Sequence, residues 1–207
     1  MILDPKEAER LLEKAVPFPK NYIIKDKKDL GRAERLGFPL VLKIISPEVM
    51  HKTDVDGVRI VNERSKLKKE FEKLIKTAKK RRIRLKGILA QEFTEGYEFI
   101  IGIKRDKVFG HSLLLGAGGI FTEIYNDKTI RICPVSEKDA AEMLEELKFL
   151  KALRSRGKKL NLNSVKKAIV NISKIAEKNT GISELDINPL IVNERKAVAV
   201  DVRVISD

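Results

Sequence analysis

The chain has no tryptophan, one cysteine and few aromatic residues, which make up 5% of its 207 residues. The single Cys133 excludes an internal disulfide framework and is typical of a reducing compartment. No apolar run approaches the roughly 20 residues of a membrane-spanning helix, and no signal-peptide pattern opens the sequence. These absences predict a cytoplasmic protein that does not enter a membrane.

Charge is what the chain has in abundance. Charged residues make up 35% of the sequence and hydrophobic residues 43%, which predicts a globular protein with a proper core. Lysine and glutamate dominate while Gln91 is the only glutamine, a bias that resembles heat-adapted proteins. The net charge of +13 raises the alternative of nucleic-acid binding.

The basic residues concentrate between residues 66 and 86. Leu67, Phe71 and Leu74 recur among them at helical spacing, so this stretch predicts an amphipathic helix with a solvated basic face. No aromatic interleaving or zinc-finger spacing accompanies the charge, which makes nucleic-acid binding the minor alternative. An acidic partner or nucleotide phosphates would fit the same face.

Oxygen-bearing side chains interrupt two β-rich apolar segments near the end of the chain. Residues two apart in a strand share a face, so Asp186 and Asn188 lie on one side. A hairpin centred on residues 193–196 places Asn188 opposite Asp201 and Asp186 opposite Arg203. A carboxylate beside an amide oxygen suits Mg²⁺. The alternative is an edge hairpin whose polar residues face water.

A lysine interrupts the buried strand that the apolar run 38–45 predicts. A buried Lys43 must find an anion or lose its charge, unless it extends to the strand end. The polar loop 46–57 follows and holds His51 beside Lys52. A neutral imidazole is a good nucleophile toward phosphorus, although an exposed loop histidine with no role is the alternative.

Helices and strands are mixed along the chain, with antiparallel strands in its middle. This pattern predicts an α/β or α+β protein in two lobes that join near residues 90–95. A glycine cluster at 116–119 lies between predicted strands at 112–115 and 120–125. Such a cluster either lets the backbone approach a ligand or makes a tight turn.

These segments, in this order, resemble the ATP-grasp (beta) subunits of ADP-forming acetate–CoA ligases, and more distantly succinyl-CoA synthetase beta subunits. The resemblance implies an ATP-grasp fold of the α/β (α+β) class, with nucleotide held between two lobes. The lobes would be 1–93, with a phosphate-side loop, and 94–207, with a metal-binding hairpin. The motifs that carry the resemblance span residues 39–58, 88–110, 116–136 and 182–204.

The same resemblance implies the roles of individual residues. Lys43 would contact the nucleotide phosphates, and His51 would be transiently phosphorylated. Asn188 and Asp201 match the metal-binding pair, in agreement with the hairpin argument. The other nucleotide-binding positions implied are Lys52 and Gly57 in the phosphate-side loop, Glu92 and Phe93 at the adenine, Glu98 at the ribose, and Glu123 and Arg131 at further motif positions.

The implied activity is phosphoryl transfer between a histidine and ADP or ATP with Mg²⁺, which couples acyl-CoA, ADP and phosphate to acid, ATP and CoA. The chain has no Rossmann-type glycine fingerprint for CoA, so the resemblance also implies a CoA-binding alpha subunit and an α₂β₂ assembly. The alternatives are an ATP-grasp carboxylate ligase that works through an acyl phosphate, a nucleotide-sensing paralogue, and a nucleic-acid-binding module.

Three positions depart from the family pattern. Asp56 replaces a glycine, which predicts a stiffer loop or repulsion near phosphate. His111 replaces a common proline, and we interpret it as structural because strands accept this exchange. Ser155 replaces a glycine of a basic loop, with no expected effect.

Overall fold

The computed structural model describes residues 1–49, 52–119 and 126–207, which form two compact units. The smaller unit is Pro19–Phe93, and the larger one combines Met1–Phe18 with Thr94–Asp207. The first 18 residues thus belong with the larger unit, whereas the lobes expected from sequence grouped them with residues 19–93. The reason is packing, because Ala8 and Leu12 of the first helix are buried in the larger unit's core.

The smaller unit is a four-stranded antiparallel sheet with one long helix on one face. The strand order is β1-β4-β2-β3. The predicted amphipathic helix is confirmed as α3, whose Phe71 and Leu74 pack with Leu42 and Ile44 of the sheet. In chain order the elements are β1 (Asn21–Ile24), a 3₁₀ turn (Lys27–Asp29), α2 (Leu30–Glu34), β2 (Leu40–Ile45), β3 (Val58–Val61), α3 (Arg64–Lys80) and β4 (Gly87–Glu92).

The larger unit is a six-stranded antiparallel sheet covered by helices on one face. The strand order is β10-β8-β5-β6-β7, and β9 pairs with β8. The mixed α/β class with antiparallel strands is therefore as predicted. The elements are α1 (Pro5–Leu12), β5 (Tyr97–Asp106), β6 (Gly110–Ala117), β7 (Lys128–Ile132), α4 (Glu137–Glu146), α5 (Lys148–Ser155), α6 (Leu162–Lys178), β8 (Ile182–Val192), β9 (Ala197–Ala199) and β10 (Val202–Ser206).

The first helix begins with a set of residues that cap it. The Asp4 carboxylate accepts a hydrogen bond from the backbone N–H of Lys6 at 3.0 Å, and the Glu7 carboxylate accepts one from the Asp4 N–H at 2.9 Å. Pro5 occupies the first helical position, where a missing N–H costs nothing. This arrangement satisfies donors that the helix itself leaves unpaired.

Ser136 caps a stretch of helical sequence that forms two helices, α4 and α5, which are separated at Leu147. The cause is a distant cap: Asp127 accepts hydrogen bonds from the backbone N–H groups of Lys148 and Phe149, at 3.0 and 2.8 Å. An acceptor at the first turn fixes a new helix start there. No helix in the described part of the chain is long and apolar enough to span a membrane.

The two faces of the larger sheet differ because side chains alternate along each strand. In β5, Phe99, Ile101 and Ile103 are buried in a core that also contains residues of helices α1, α4 and α6. Ile100 and Gly102 point to the opposite side and are partly exposed. We call these two sides the covered face and the open face of the larger sheet.

Candidate functional site

The closing strands place Asn188 opposite Asp201, as the sequence predicts. Strand β8 pairs Leu190 with Ala199 on one side and Asp186 with Arg203 on the other, and both pairs belong to one continuous register. The backbone N–H of Asn188 donates to the carbonyl of Asp201 at 3.2 Å. Opposed residues in an antiparallel ladder share a face, so the two side chains lie side by side on the open face.

The chemistry of this pair fits a hard divalent cation. Asn188 offers an amide oxygen and Asp201 a carboxylate, and both positions are at least partly accessible to solvent. Mg²⁺ is typically held by one or two protein ligands and takes its remaining ligands from water and phosphate. Among the described residues, no group of three or more His, Cys, Asp or Glu side chains could hold a metal ion without help.

Charged side chains of both signs surround the pair on the open face. Arg203 lies opposite Asp186 and approaches Glu184 to 4.0 Å. Lys104 pairs with Glu184 across β5 and β8. Asn188 and Asp201 therefore lie among acidic and basic side chains in similar numbers. They do not form an isolated acidic cluster.

The glycine cluster is explained by a close approach to Glu98, the residue expected near the ribose. The Gly118 N–H donates to the Glu98 carbonyl at 2.7 Å. A Cβ atom at position 118 would lie 2.6 Å from the Glu98 Cβ, closer than real atoms pack. Gly119 has φ +61°, in the left-handed region that favours glycine. These glycines thus hold Glu98 in place on the open face.

Lys43 is buried in the middle of β2, where it pairs with Val58 on one side and Leu89 on the other. Since Leu42 and Ile44 face α3, Lys43 lies on the opposite face of the small sheet. Gln91 lies on that same face and is also buried. Sequence reasoning did not select Gln91, although the chain's only glutamine within a buried strand was a usable signal.

Residues 52–57 form a closed turn directly beside β2. The Gly57 N–H donates to the Lys52 carbonyl at 2.7 Å, and the Gly57 carbonyl accepts from Ile44 at 2.9 Å. A Cβ at position 57 would lie 2.8 Å from the Lys52 oxygen, so the turn requires glycine. His51, the residue expected to carry phosphate, lies outside the described residues.

Asp56 adopts a backbone conformation that favours glycine, the residue expected there from the family resemblance. Its φ is +57°, in the left-handed region. Arg59 donates to the carboxylate from both terminal guanidinium nitrogens, Nη1 at 2.5 Å, and this contact lowers the pKa of the Asp56 carboxyl. Arg59 also lies 3.6 Å from Glu70 of α3. The extra negative charge in the loop is therefore paired with a cation.

The remaining predicted nucleotide-binding residues are divided between several places. Glu92 ends β4, and its carboxylate accepts from the Lys20 backbone N–H at 3.2 Å. Phe93 is exposed at the end of the smaller unit. Glu123 lies outside the described residues.

Arg131 is not brought together with Asn188 and Asp201. It pairs with Leu113, a core residue, which places it on the covered face of the larger sheet. Its guanidinium binds Glu146 of α4 at 2.5 Å and the Thr129 hydroxyl at 3.0 Å. The hydrogen bond between Arg131 and Glu146 lowers the pKa of Glu146 and raises the pKa of Arg131. This geometry is that of a strand-to-helix tie.

His111 is buried, and its Nε2 lies 2.7 Å from the carbonyl oxygen of Ile182. The imidazole therefore links β6 to the start of β8, which agrees with its interpretation as structural.

Comparison with known proteins identifies the family. A model of the ATP-grasp domain matches residues 1–205. The chain is 32% identical over 211 residues to the beta subunit of ADP-forming acetate–CoA ligase I of Pyrococcus furiosus, which covers 99% of this chain and 91% of that protein. It is 36% identical over 222 residues to the ADP-forming acetate–CoA ligase of Methanocaldococcus jannaschii, which covers 99% of this chain.

The chain spans only 26% to 31% of the length of such longer relatives. Among solved structures, the dinucleotide-forming acetyl-coenzyme A synthetase 1 of Candidatus Korarchaeum cryptofilum, in complex with coenzyme A, Ca-AMPCP and HgCl⁺, matches with a TM-score of 0.92. That match has 33% identity and covers 100% of this chain and 93% of the other. The chain therefore belongs to the ATP-grasp family, among the beta subunits of ADP-forming acetate–CoA ligases, as its motifs predict.

Proposed function

We propose that this chain is the nucleotide-binding subunit of an ADP-forming acyl-CoA synthetase and transfers a phosphoryl group between His51 and ADP or ATP. The observation that carries the proposal is the Asn188–Asp201 pair on the open face, in a chain of this family. In the full reaction, acyl-CoA, ADP and phosphate would be converted to the acid, ATP and CoA.

Phosphoryl transfer depends mainly on positioning of the reactants and neutralisation of phosphate charge, and different residues would provide each of these. Asn188 and Asp201 would hold Mg²⁺, which neutralises phosphate charge when bound. Lys43, fixed in the middle of a strand, would contact the phosphates. Glu98 would orient the ribose, and the end of β4 at Glu92 would meet the adenine.

The chemical step needs one nucleophile. In the direction of ATP cleavage, a ring nitrogen of His51 attacks the γ-phosphorus, the bond to the β–γ bridging oxygen breaks, and ADP leaves. In the direction of ATP synthesis, a terminal oxygen of ADP attacks the phosphohistidine and the P–N bond breaks. The turn from Lys52 to Gly57 anchors the loop that bears this histidine.

A separate subunit would supply the CoA chemistry. The support is that one relative is itself a beta subunit, and that the chain spans only about a third of the longer ligase of Methanocaldococcus. We propose a CoA-binding alpha subunit as this partner, in an α₂β₂ assembly.

Incubation with γ-labelled ATP and Mg²⁺ tests the phosphoryl transfer. We expect acid-labile, base-stable phosphate on the protein, absent from His51→Ala and strongly reduced in Asn188→Ala. Glu184→Gln, on the same face as Asn188, serves as the control and should label normally. The chain has two histidines, and His111 is buried, so peptide mapping should place the label on His51 alone.

If the chain binds ATP but takes no label, the experiment is repeated with the CoA-binding subunit present, with γ-labelled ATP in one arm and with acetyl-CoA and labelled phosphate in the other. Label that still fails to appear, or that maps elsewhere than His51, would contradict the proposed transfer.

A further inference from the structure

Gln91 is a buried polar side chain for which the described part of the chain supplies no partner. The residue lies near the end of β4 and is only 2% exposed. Across residues 1–49, 52–119 and 126–207, no side chain or backbone group forms a hydrogen bond with its carboxamide. A buried amide that lacks a partner costs free energy, so a group of this kind normally binds water or a ligand.

The carboxamide is also the accessible part of this residue. Wherever the structure describes a side-chain nitrogen or oxygen atom that is fully enclosed, that atom has a hydrogen-bond partner. Since the Gln91 carboxamide has no partner, its oxygen and its nitrogen must each retain some accessible surface. The small exposed fraction of Gln91 therefore lies at its polar end, where a ligand can reach it.

The side chains around Gln91 form an apolar surface. In the ladder between β2 and β4, Val41 pairs with Gln91, and Lys43 pairs with Leu89. Opposed and alternate residues share a face, so all four lie on the face of the small sheet opposite α3. Ile23 of β1 pairs with Leu89 on that same face. Ligand pockets typically combine apolar walls with a few polar groups that fix the orientation of the ligand.

Lys43 indicates how a nucleotide would lie on this face. Lys43 and Gln91 occupy diagonal positions in adjacent strands, which places their Cβ atoms about 7–8 Å apart. The family resemblance places the adenine at Glu92 and Phe93, which directly follow Gln91 in the sequence. A nucleotide with its phosphates at Lys43 and its base at the end of β4 therefore passes beside the Gln91 carboxamide.

A carboxamide matches adenine better than guanine. It offers one donor group, the Nε2 amide, and one acceptor, Oε1. Along its N6–N7 edge adenine also presents one donor and one acceptor, so two hydrogen bonds can form together. Guanine presents two acceptors, O6 and N7, along the same edge, and the carboxamide oxygen would then face an acceptor. Leaving a buried polar group unpaired is the means by which a site rejects an analogue of its ligand.

We propose that Gln91 determines the base specificity of this chain by binding the N6–N7 edge of adenine. Its Oε1 accepts a hydrogen bond from the 6-amino group, and its Nε2 donates one to N7. The chain therefore prefers adenine nucleotides to guanine nucleotides. This inference rests on the proposed function, because it concerns the base of the nucleotide that the chain would bind.

The test combines one variant with one altered ligand. Mg-ADP, Mg-GDP and Mg-7-deaza-ADP, which lacks the N7 acceptor, are titrated by calorimetry into the native chain and into Gln91→Met. Methionine is about as long as glutamine but has neither the amide donor nor the carbonyl acceptor. We expect the native chain to bind ADP about tenfold more tightly than either GDP or 7-deaza-ADP, as for a bidentate contact to a base. In Gln91→Met, ADP affinity should fall about tenfold, to the level of 7-deaza-ADP, and the preference for ADP over GDP should shrink by the same factor.

Ile88→Val is the control, because Ile88 lies in β4 on the opposite face, in the core shared with α3. Its affinities for all three ligands should stay within about twofold of those of the native chain. A loss of ADP and 7-deaza-ADP affinity to the same extent in Gln91→Met would show that Gln91 supports the strand or binds water, and would overturn the inference. Thermal unfolding of each variant verifies that the fold is intact.

The native chain alone also tests the inference, whether or not the variant folds. Equal affinity of the native chain for ADP and 7-deaza-ADP, or for ADP and GDP, would overturn it. If that chain still binds Mg-ADP and labels His51, the phosphoryl transfer stands and only the role of Gln91 fails. If the native chain binds no adenine nucleotide, the proposed function fails as well.

Discussion

The open and covered faces of the larger sheet are made by the same strands but have opposite character. On the covered face, Phe99 and Leu113 are fully buried against helices. On the open face, Asn188, Asp201 and Arg203 are at least partly accessible to solvent. Since alternate residues of a strand point to opposite sides, a shift of one position moves a residue from the core to the site. The face of the sheet on which a polar side chain lies, more than its residue type, decides which role the residue can have.

Arg131 and Asn188 illustrate the point. Both were expected at the nucleotide site from the family motifs, yet the strand register places Arg131 on the covered face, opposite the core residue Leu113, and Asn188 on the open face. Stability should depend mainly on the covered face and nucleotide chemistry on the open one. Substitutions that affect one property without the other test this division.

The largest effect is expected from Phe99→Ala on the covered face. Phe99 is fully buried, and its ring packs edge-to-face against Phe149 with centroids 4.9 Å apart. Truncation leaves a cavity that the sheet and helices cannot fully close, so we expect a loss of about 3–5 kcal/mol in the free energy of unfolding. Urea denaturation measures it. Ile130→Ala, an exposed position of the open face, should cost less than about 1 kcal/mol, and equal losses would contradict the division.

Asp201→Asn should have the next largest effect, on binding. The variant keeps the side chain's size but removes the negative charge of the carboxylate that we propose as a Mg²⁺ ligand. Loss of a direct ligand should weaken Mg-dependent ADP affinity by about 100-fold, at the upper end of what outer-shell changes cost. Calorimetric titration of ADP measures it with Mg²⁺ and with a chelator.

The chelator arm is the internal control, because native and variant chains should bind metal-free ADP alike. Glu184→Gln, two positions from Asp186 on the same face, should leave both affinities unchanged. A variant that loses affinity equally in both arms would show that Asp201 acts through something other than the metal.

Gly118→Ala tests whether the glycine cluster supports Glu98. The added Cβ would lie 2.8 Å from the Glu98 backbone carbon, so the strand must shift. We expect nucleotide affinity to fall about tenfold, because small misplacements of positioning groups are costly. Gly102→Ala, in the same strand as Glu98, is the control, because the nearest atom to its added Cβ is 3.8 Å away. If the two variants bind nucleotide equally well, Glu98 does not need this support.

Local signals in the sequence were sufficient for much of this fold. Strand alternation and a hairpin centred on residues 193–196 predicted that Asn188 lies opposite Asp201. The helical spacing of Leu67 and Phe71 predicted α3. Both patterns depend on residues that are close in the sequence. Asp4 fixed the start of α1 for the same reason.

What could not be predicted depends on residues distant in the chain. The break at Leu147 is caused by Asp127, about 20 residues earlier, and no glycine or proline marks it. The face on which Arg131 lies depends on the pairing of β7 with β6, and a one-residue error in that register reverses it. The family motif predicted a nucleotide-binding role for Arg131, but it does not determine on which face of the sheet the side chain lies.

Arg131→Met should therefore have the smallest effect on nucleotide binding, with affinity within about twofold of the native chain. Its effect should appear in stability instead, because the guanidinium ties β7 to Glu146. The tie is partly exposed, so its loss should cost no more than about 1 kcal/mol at pH 7.

The pH dependence distinguishes a structural tie from a binding residue. Hydrogen bonding to Arg131 lowers the pKa of Glu146 from 4.5, so the carboxylate's contribution is fully present above that value and is lost as pH falls through the lowered pKa. The stability difference between native and Arg131→Met chains should accordingly shrink in acid, as urea denaturation at pH 7 and pH 3 would measure. A loss of nucleotide affinity of tenfold or more, with a stability difference that does not respond to pH, would instead assign Arg131 to the nucleotide, and the division between the two faces would then be wrong at β7.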